Sequence, residues 1–176
     1  RRTIEWLYNH LDSITTIFAS LDSHLPLQIF SPGWWVDDMG NHPDPYTVIS
    51  TEMVMRGKWQ PVYEATWSKQ YVQILERDAK KQLMIWPYHT LTGTTGHNFM
   101  PALYEAMAYH SGARQTQPHL ISKGSIAKSE HYSIFEPEVK LDELTDGGLN
   151  TQLLSTLADY DRIYVAGEAK SHCVQI

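Results

Sequence analysis

The sequence predicts an α/β fold of three layers, in which helices cover both faces of a mostly parallel sheet. Short apolar, β-branched runs such as residues 14–21 and 162–166 alternate with longer segments of helical periodicity such as residues 66–80. Strands that alternate with helices are typical of parallel sheets, because a crossover helix joins each strand to the next. Polar residues follow several of the predicted strands directly, and such sheets bind ligands at the carboxyl ends of their strands.

Length and composition indicate one globular domain over residues 1–176. Hydrophobic residues make up 42% of the chain and charged residues 19%, which is ordinary for a globular protein. The net charge of −6, with no basic run, argues against nucleic-acid and membrane partners. The single cysteine excludes an internal disulfide, and no apolar run reaches membrane-spanning length, so we expect a cytoplasmic protein.

The first predicted elements are a helix over residues 1–11 and a central strand over residues 14–21. Asp22, Ser23 and His24 follow that strand. In extended backbone, residues two apart point to the same side, so Asp22 and His24 are able to converge on one cation. The triplet is equally typical of a turn cap followed by a surface histidine, and the motif alone does not decide between the two.

Residues 25–65 form a long segment rich in proline, glycine, tryptophan and aspartate. We expect an irregular loop inserted in the domain, because connections of this length in compact proteins are binding loops, lids or disordered segments. The aromatic content favours an ordered loop. Trp34 and Trp35 either wall a pocket or form a local core, and we favour the core.

The next elements place another histidine at a strand end. Residues 66–80 have the apolar face of an amphipathic helix, and residues 83–86 form a short apolar strand. His89 follows that strand almost directly, and a glycine-bearing turn leads to a helix over residues 99–109. Across neighbouring strands His89 is able to join the Asp-x-His triplet around a metal ion, with positions left open for water or substrate.

Lys123 follows a third strand end, at residues 120–121. A lysine at a strand terminus is usually a solvated edge charge. In a parallel sheet the same position also lies near the end of the strand predicted for residues 162–166, which a helix over residues 149–157 precedes. Lys123 therefore has a second interpretation, as a partner in the chemistry at that strand end.

Cys173 follows the last predicted strand through a tight turn that begins at Gly167. The turn delivers the thiol to the start of a following helix, where the positive end of the helix dipole favours the nucleophilic thiolate. Free N–H groups at the same place are able to hold a developing oxyanion. The alternative is a small buried apolar residue, which is common for a lone cysteine.

Together these stretches resemble the isochorismatase-like cysteine hydrolases, and among them the nicotinamidases. Four blocks match in the same order over about 150 residues. The blocks are Asp22-Ser23-His24, Trp86-Pro87-x-His89 with Gly93-Thr94-x-Gly96, Lys123-Gly124 with Tyr132-Ser133-x-Phe135, and Val165-x-Gly167-x-Ala169-x-x-x-Cys173. The resemblance implies an isochorismatase-like sheet of Rossmann-like topology.

The resemblance also implies a catalytic set. Cys173 is expected to be the nucleophile, and Lys123 is expected to belong to its triad. The N–H groups of Ala169 and Cys173 are expected to form the oxyanion hole, next to a cis peptide bond between Glu168 and Ala169.

A metal site is implied in the same way. Asp22, His24 and His89 match the residues with which nicotinamidases hold a divalent ion, often zinc, that orients the pyridine ring of the substrate. Isochorismatases and several carbamoyl-cleaving relatives lack the full trio, so its presence favours the nicotinamidases. The expected cofactor is therefore a divalent ion, with zinc as its identity, while the residues that bind the substrate stay unassigned.

The sequence departs from the family pattern in three respects. One is Thr90 after His89, where many nicotinamidases carry cysteine, and we expect it to be neutral. The third triad member of the family is an aspartate at the end of the first strand, and no residue before Asp22 fits it. We therefore expect a chain that is incomplete at both ends. The segment over residues 25–65 is also longer than in compact members of the family, which leaves the pocket shape open.

The leading hypothesis is hydrolysis of nicotinamide to nicotinate and ammonia through a thioester on Cys173. One alternative is an isochorismatase-like hydrolase of another small amide, ureide or carbamoyl compound. Another is a catalytically silent binding domain on the same scaffold. The expected partner is a small-molecule amide substrate, and a homo-oligomer is compatible with the sequence.

Overall fold

The computed structural model describes residues 1–174, which form five α-helices and six short strands. The helices are α1 (Arg2–Asn9), α2 (Thr51–Met55), α3 (Ala65–Arg77), α4 (Pro101–Arg114) and α5 (Thr151–Ala158). The strands are β1 (Phe18–Asp22), β2 (Trp35–Val36), β3 (Val48–Ile49), β4 (Gln60–Pro61), β5 (Leu83–Met84) and β6 (His119–Lys123). A 3-10 turn covers Pro32–Trp34, and a π-helical turn covers Lys170–Val174. None of the helices described is long and apolar enough to cross a membrane.

The parallel pair of β1 and β6 carries two of the candidate site residues, Asp22 and Lys123. Its register runs from Phe18 opposite His119 to Asp22 opposite Lys123. Because both strands end at these last two residues, their carboxyl ends lie at one edge of the pair. The α/β class and the parallel pairing predicted from the sequence are confirmed.

The remaining strand pairs are antiparallel and short, so the regular sheet is smaller than predicted. β2 pairs with β4, and β3 pairs with β5. The predicted strand over residues 83–86 shortens to Leu83–Met84, which pairs with β3, and the backbone that follows bonds to other parts of residues 25–65. The N–H of Ile85 donates to the Thr47 carbonyl at 2.9 Å, and the N–H of Trp86 donates to the Phe30 carbonyl at 2.9 Å.

The largest core cluster joins residues 25–65 to α3 and β5. Its buried members are Ile29, Phe30, Trp34, Trp35, Ile49, Val54, Tyr71, Val72, Leu75, Leu83, Ile85 and Val139. The prediction that Trp34 and Trp35 form core is confirmed. The indole of Trp34 donates to Ser68 on α3 at 2.9 Å.

The segment over residues 25–65, predicted as an ordered but irregular loop, contains α2 and three short strands between its irregular parts. These elements form because their apolar side chains pack against α3. That the segment is an insertion in the domain stays a prediction.

A second, smaller cluster joins α1 to α4 through Leu7, Ile14 and Ala106. β1 begins at Phe18, four residues later than predicted, and Ile14 belongs to this cluster. The Ile14 carbonyl accepts a hydrogen bond at 3.0 Å from the buried His110 on α4, which takes Ile14 out of strand pairing.

Residues 162–166 do not form the buried strand that their composition predicts. Ile163, Tyr164 and Val165 are exposed. A parallel strand needs backbone partners on a neighbouring strand, and within residues 1–174 no strand pairs with this run. The prediction is wrong here because β-branched composition does not supply that partner.

Candidate active site

The carboxyl ends of β1 and β6 bring a carboxylate and an ammonium together. Asp22 and Lys123 are register partners, and the Lys123 ammonium donates a hydrogen bond to Asp22. The lysine is only 5% exposed, which argues against a solvated edge charge. It also donates to the His131 carbonyl at 3.2 Å and to the Cys173 sulfur at 3.7 Å. The structure therefore brings Asp22, Lys123 and Cys173 into one connected row.

Cys173 lies in the π-helical turn and is partly exposed, so it is not a buried apolar residue. The turn is closed by the Ala169 carbonyl, which accepts from the N–H groups of His172 at 3.1 Å and Val174 at 3.3 Å. The peptide bond between Glu168 and Ala169 is cis, as the resemblance implies. The roles of Ala169 and Cys173 in an oxyanion hole stay a prediction.

The three expected metal ligands converge at the same edge. One donor atom from each of Asp22, His24 and His89 lies within 4.8 Å of the others. A short parallel contact brings the two histidines together. The N–H of His24 donates to the Thr90 carbonyl at 3.1 Å, and the His24 carbonyl accepts from Thr92 at 2.9 Å.

The hydrogen bonds of the two imidazoles suit a metal ion. Nδ1 of His24 lies 3.1 Å from the Gly124 carbonyl, and Nδ1 of His89 lies 2.7 Å from the Pro87 carbonyl. A carbonyl only accepts, so each Nδ1 carries the proton and each Nε2 keeps a lone pair for a metal. Burial lowers the pKa of His24, which favours its neutral form. Two neutral imidazoles and the Asp22 carboxylate form a donor set that fits zinc.

Asp22 lies between the Lys123–Cys173 pair and the two histidines. One carboxylate oxygen accepts from Lys123, which leaves the second oxygen for a metal ion. In the part of the chain that the structure describes, Asp22 is also the carboxylate that forms an ion pair with Lys123. A single aspartate thus links the thiol and lysine to the two histidines.

A small cavity borders the histidines. Its lining includes His24, Phe30, Trp86 and His89, and the volume open to the centre of a water molecule is about 10 Å³. That volume accommodates about one water. The Phe30 ring packs edge to face on His24, with ring centroids 5.0 Å apart. The cavity is therefore smaller than a planar aromatic ring.

Sequence reasoning missed the partner of His97. The buried Ser23 hydroxyl donates to the Leu21 carbonyl at 3.1 Å, so it accepts from Nε2 of His97 at 2.8 Å. This bond ties the turn between Asp22 and His24 to the end of the loop that leads into α4. No local pattern indicates a contact between residues 74 positions apart in the chain.

His131 was also missed. Its backbone carbonyl accepts from Lys123, and its Nε2 is buried with no hydrogen-bond partner within residues 1–174. Burial, aided by the nearby Lys123 charge, lowers the pKa of His131 to about 4. The imidazole is therefore neutral at physiological pH.

The fold and these side chains define an α/β protein that gathers a thiol, an ammonium, a carboxylate and two imidazoles at one strand edge. No protein-family model and no curated protein matches the sequence. Solved structures do match. Yeast nicotinamidase superposes with a TM-score of 0.60 at 16% identity, over 99% of this chain and 64% of that chain.

Two further solved structures agree. The yeast nicotinamidase bound to the inhibitor nicotinaldehyde gives a TM-score of 0.61 at 14% identity, over 99% of this chain and 64% of that chain. The nicotinamidase and pyrazinamidase of Acinetobacter baumanii gives 0.55 at 22% identity, over 98% of this chain and 62% of that chain. The chain thus shares its fold with these nicotinamidases and spans a little under two thirds of their length.

Proposed function

We propose that the protein is a cysteine amidohydrolase of the nicotinamidase type, which converts nicotinamide and water to nicotinate and ammonia. The observation that carries this proposal is the row of Asp22, Lys123 and Cys173 beside the two histidines. The fold shared with nicotinamidases supports it. The inhibitor nicotinaldehyde, which the yeast enzyme binds, supports a pyridine-ring substrate.

The first half of the proposed reaction forms a thioester. The Cys173 sulfur attacks the carboxamide carbon, a C–S bond forms, and the carbonyl electron pair moves to oxygen. N–H groups of Ala169 and Cys173 hold that oxyanion. The Lys123 ammonium stabilises the thiolate, because the two groups are 3.7 Å apart and the ammonium is buried, although the sulfur is partly exposed. When the C–N bond breaks, the proton released by the thiol passes through the Asp22–Lys123 pair to the leaving nitrogen, which departs as ammonia.

The second half consumes one water. Water attacks the thioester carbon, the C–S bond breaks, and nicotinate leaves while the sulfur regains a proton. Asp22 is the proposed base of this step: it takes the proton from the attacking water and returns it to the sulfur through Lys123, which contacts both groups.

Asp22, His24 and His89 are the residues that would hold a divalent ion. Such an ion supplies a Lewis acid that binds a ring nitrogen of the substrate. The protein's part is to orient the ligands: the Gly124 and Pro87 carbonyls fix both imidazole rings through Nδ1.

The proposal is tested by ammonia release from nicotinamide. Wild-type protein is expected to release ammonia, and Cys173→Ala is expected to release none. Ser171→Ala is the matched control, because Ser171 lies in the same turn and its hydroxyl bonds to His172 rather than to the reacting groups. Equal ammonia release by the wild type and Cys173→Ala contradicts the proposal.

A chelator separates the nicotinamidase interpretation from hydrolysis of another small amide. We expect dialysis against a chelator to abolish activity and added zinc to restore it. An active enzyme that keeps its rate after chelation favours a metal-independent relative.

A further inference from the structure

A buried carboxylate that the proposed reaction does not use lies behind the cavity. Glu130 is only 2% exposed. Oε2 accepts from the Tyr71 hydroxyl at 3.1 Å, and Oε1 accepts from the Tyr132 hydroxyl at 2.6 Å and from the Trp86 indole at 3.4 Å. Among the residues described, no lysine, arginine or histidine forms an ion pair with Glu130. The side-chain hydrogen bonds of its carboxylate come instead from neutral aromatic residues. A carboxylate placed in a protein interior without a cation is costly and needs such donors.

The indole that Glu130 contacts lies between the two halves of the candidate active site. The Trp86 ring is 6.5 Å from the ring of His89 and 5.8 Å from the ring of His172, measured between centroids. His89 is an expected metal ligand, and His172 precedes Cys173 in the chain. The Tyr132 ring is 5.3 Å from His172. Trp86 also lines the cavity.

We propose that Glu130 is a positioning residue, which fixes the Trp86 indole and the Tyr132 ring between His89 and Cys173 and thereby sets the affinity for a planar aromatic amide. The inference rests on the proposed function, because the ligand class follows from it. Glu130 does not touch the reacting atoms. It acts through the two rings.

The hydrogen-bond pattern explains why this position needs a carboxylate. Ionised Glu130 only accepts, and its two oxygens serve three donors at once. The direct bond to Trp86 is long at 3.4 Å, and the indole also donates to the Tyr132 hydroxyl at 3.1 Å. The stronger link to the indole therefore runs from Glu130 through Tyr132. A glutamine at this position has nearly the same shape but replaces one carboxylate oxygen with an NH₂ group. That group faces a hydrogen-bond donor, so at least one of the three hydrogen bonds to Glu130 is lost.

The other charged groups nearby do not replace this link. Lys81 lies over the Tyr132 ring at 5.2 Å, but its ammonium is paired with Glu138 at 2.7 Å. Burial raises the pKa of Glu130 to about 7, and the hydrogen bonds from Tyr132, Tyr71 and Trp86 oppose that rise.

The first test reads Trp86 directly by ¹⁹F NMR of the full chain labelled with 5-fluorotryptophan. The chain has 6 tryptophans, and the resonance lost in Trp86→Phe assigns the one of interest. Glu130→Gln and Tyr132→Phe are each expected to shift and broaden this resonance and to leave that of the core residue Trp34 unchanged. Tyr71→Phe is the matched control, because it removes a bond to the opposite carboxylate oxygen. It is expected to lower the unfolding midpoint without moving the Trp86 resonance.

The second test separates binding from chemistry with nicotinamide as substrate. Disordering one aromatic wall is expected to raise KM about five- to tenfold in Glu130→Gln and in Tyr132→Phe, with kcat within about twofold of the wild type. An unchanged Trp86 resonance and an unchanged KM in Glu130→Gln overturn the inference. So does an equal effect of Tyr71→Phe. If wild-type protein does not hydrolyse nicotinamide, the proposed function fails, while the ¹⁹F spectra still decide whether Glu130 positions Trp86.

Discussion

Replacing Gly124 by alanine provides a sharp test of the metal site. Gly124 has a positive φ of 84°, and a Cβ added there would lie 2.8 Å from Cε1 and 3.0 Å from Nδ1 of His24. Ordinary contacts of this kind begin at 3.4 Å. The imidazole must therefore move by several tenths of an ångström. Its Nδ1 bond to the Gly124 carbonyl, 3.1 Å long, would be stretched or lost.

The magnitude follows from that hydrogen bond. Loss of a bond that orients a metal-binding histidine typically lowers metal affinity by about 10- to 100-fold. We expect a loss of this size in the zinc affinity of Gly124→Ala, measured by competition with a chromophoric chelator. The left-handed backbone adds about 1–2 kcal/mol of lost folding stability, measured by urea unfolding.

Gly40→Ala is the matched control. Gly40 has the same φ of 84°, but a Cβ there meets nothing within 4 Å. It is expected to lose a similar amount of folding stability while it binds zinc like the wild type. Zinc affinity in Gly124→Ala equal to that of the wild type would refute the assignment of His24 as a ligand held by Gly124.

Three further outcomes are expected. The pKa of Glu130 rises from 4.5 to about 7 on folding, so its contribution to stability is full below pH 4.5 and is lost as the pH rises through 7. A shift of this size is worth about 3 kcal/mol. Relative to the wild type, the free energy of unfolding of Glu130→Gln in urea should therefore rise by about that much from pH 4 to pH 8. A difference between the two proteins that does not change with pH contradicts this. His89→Ala should lose activity that excess zinc restores. Asp22→Asn should stay inactive in excess zinc, because Lys123 also loses its carboxylate partner. Recovery of both variants in a zinc titration contradicts the role of Asp22 as both metal ligand and partner of Lys123. Leu75→Ala should cost about 2–5 kcal/mol in urea unfolding, because Leu75 is fully buried, and the partly exposed Leu154→Ala should cost far less.

The sequence predicted the parts of the fold that depend on local pattern. The helical face of residues 66–80 became α3, with Tyr71 and Leu75 buried. Strand ends could also be located, because Asp22 and Lys123 follow apolar runs directly. Their convergence followed from parallel pairing, which places the carboxyl ends of strands together.

The predictions that were wrong concern elements whose partners lie far away in the chain. Residues 162–166 have the composition of a strand but lack a neighbouring strand within residues 1–174. The predicted strand over residues 83–86 forms only at Leu83 and Met84, which pair with β3, and no rule of composition selects that neighbour. Glu130 was missed for a similar reason, because its donors Tyr71 and Trp86 lie 59 and 44 residues away in the chain.

The ladder between β1 and β6 couples folding to chemistry. Asp22 faces Lys123 only in the observed alignment, and a slip of β6 by one position would place Ser122 or Gly124 there instead. Successive strand residues point to opposite faces, so the same slip would turn the ammonium away from the sulfur. A misaligned chain would be both less stable, with a buried cation left unpaired, and inactive. Correct strand alignment and assembly of the reactive groups are therefore a single event, and the rate of the proposed hydrolysis would report how much of a preparation has paired its strands correctly.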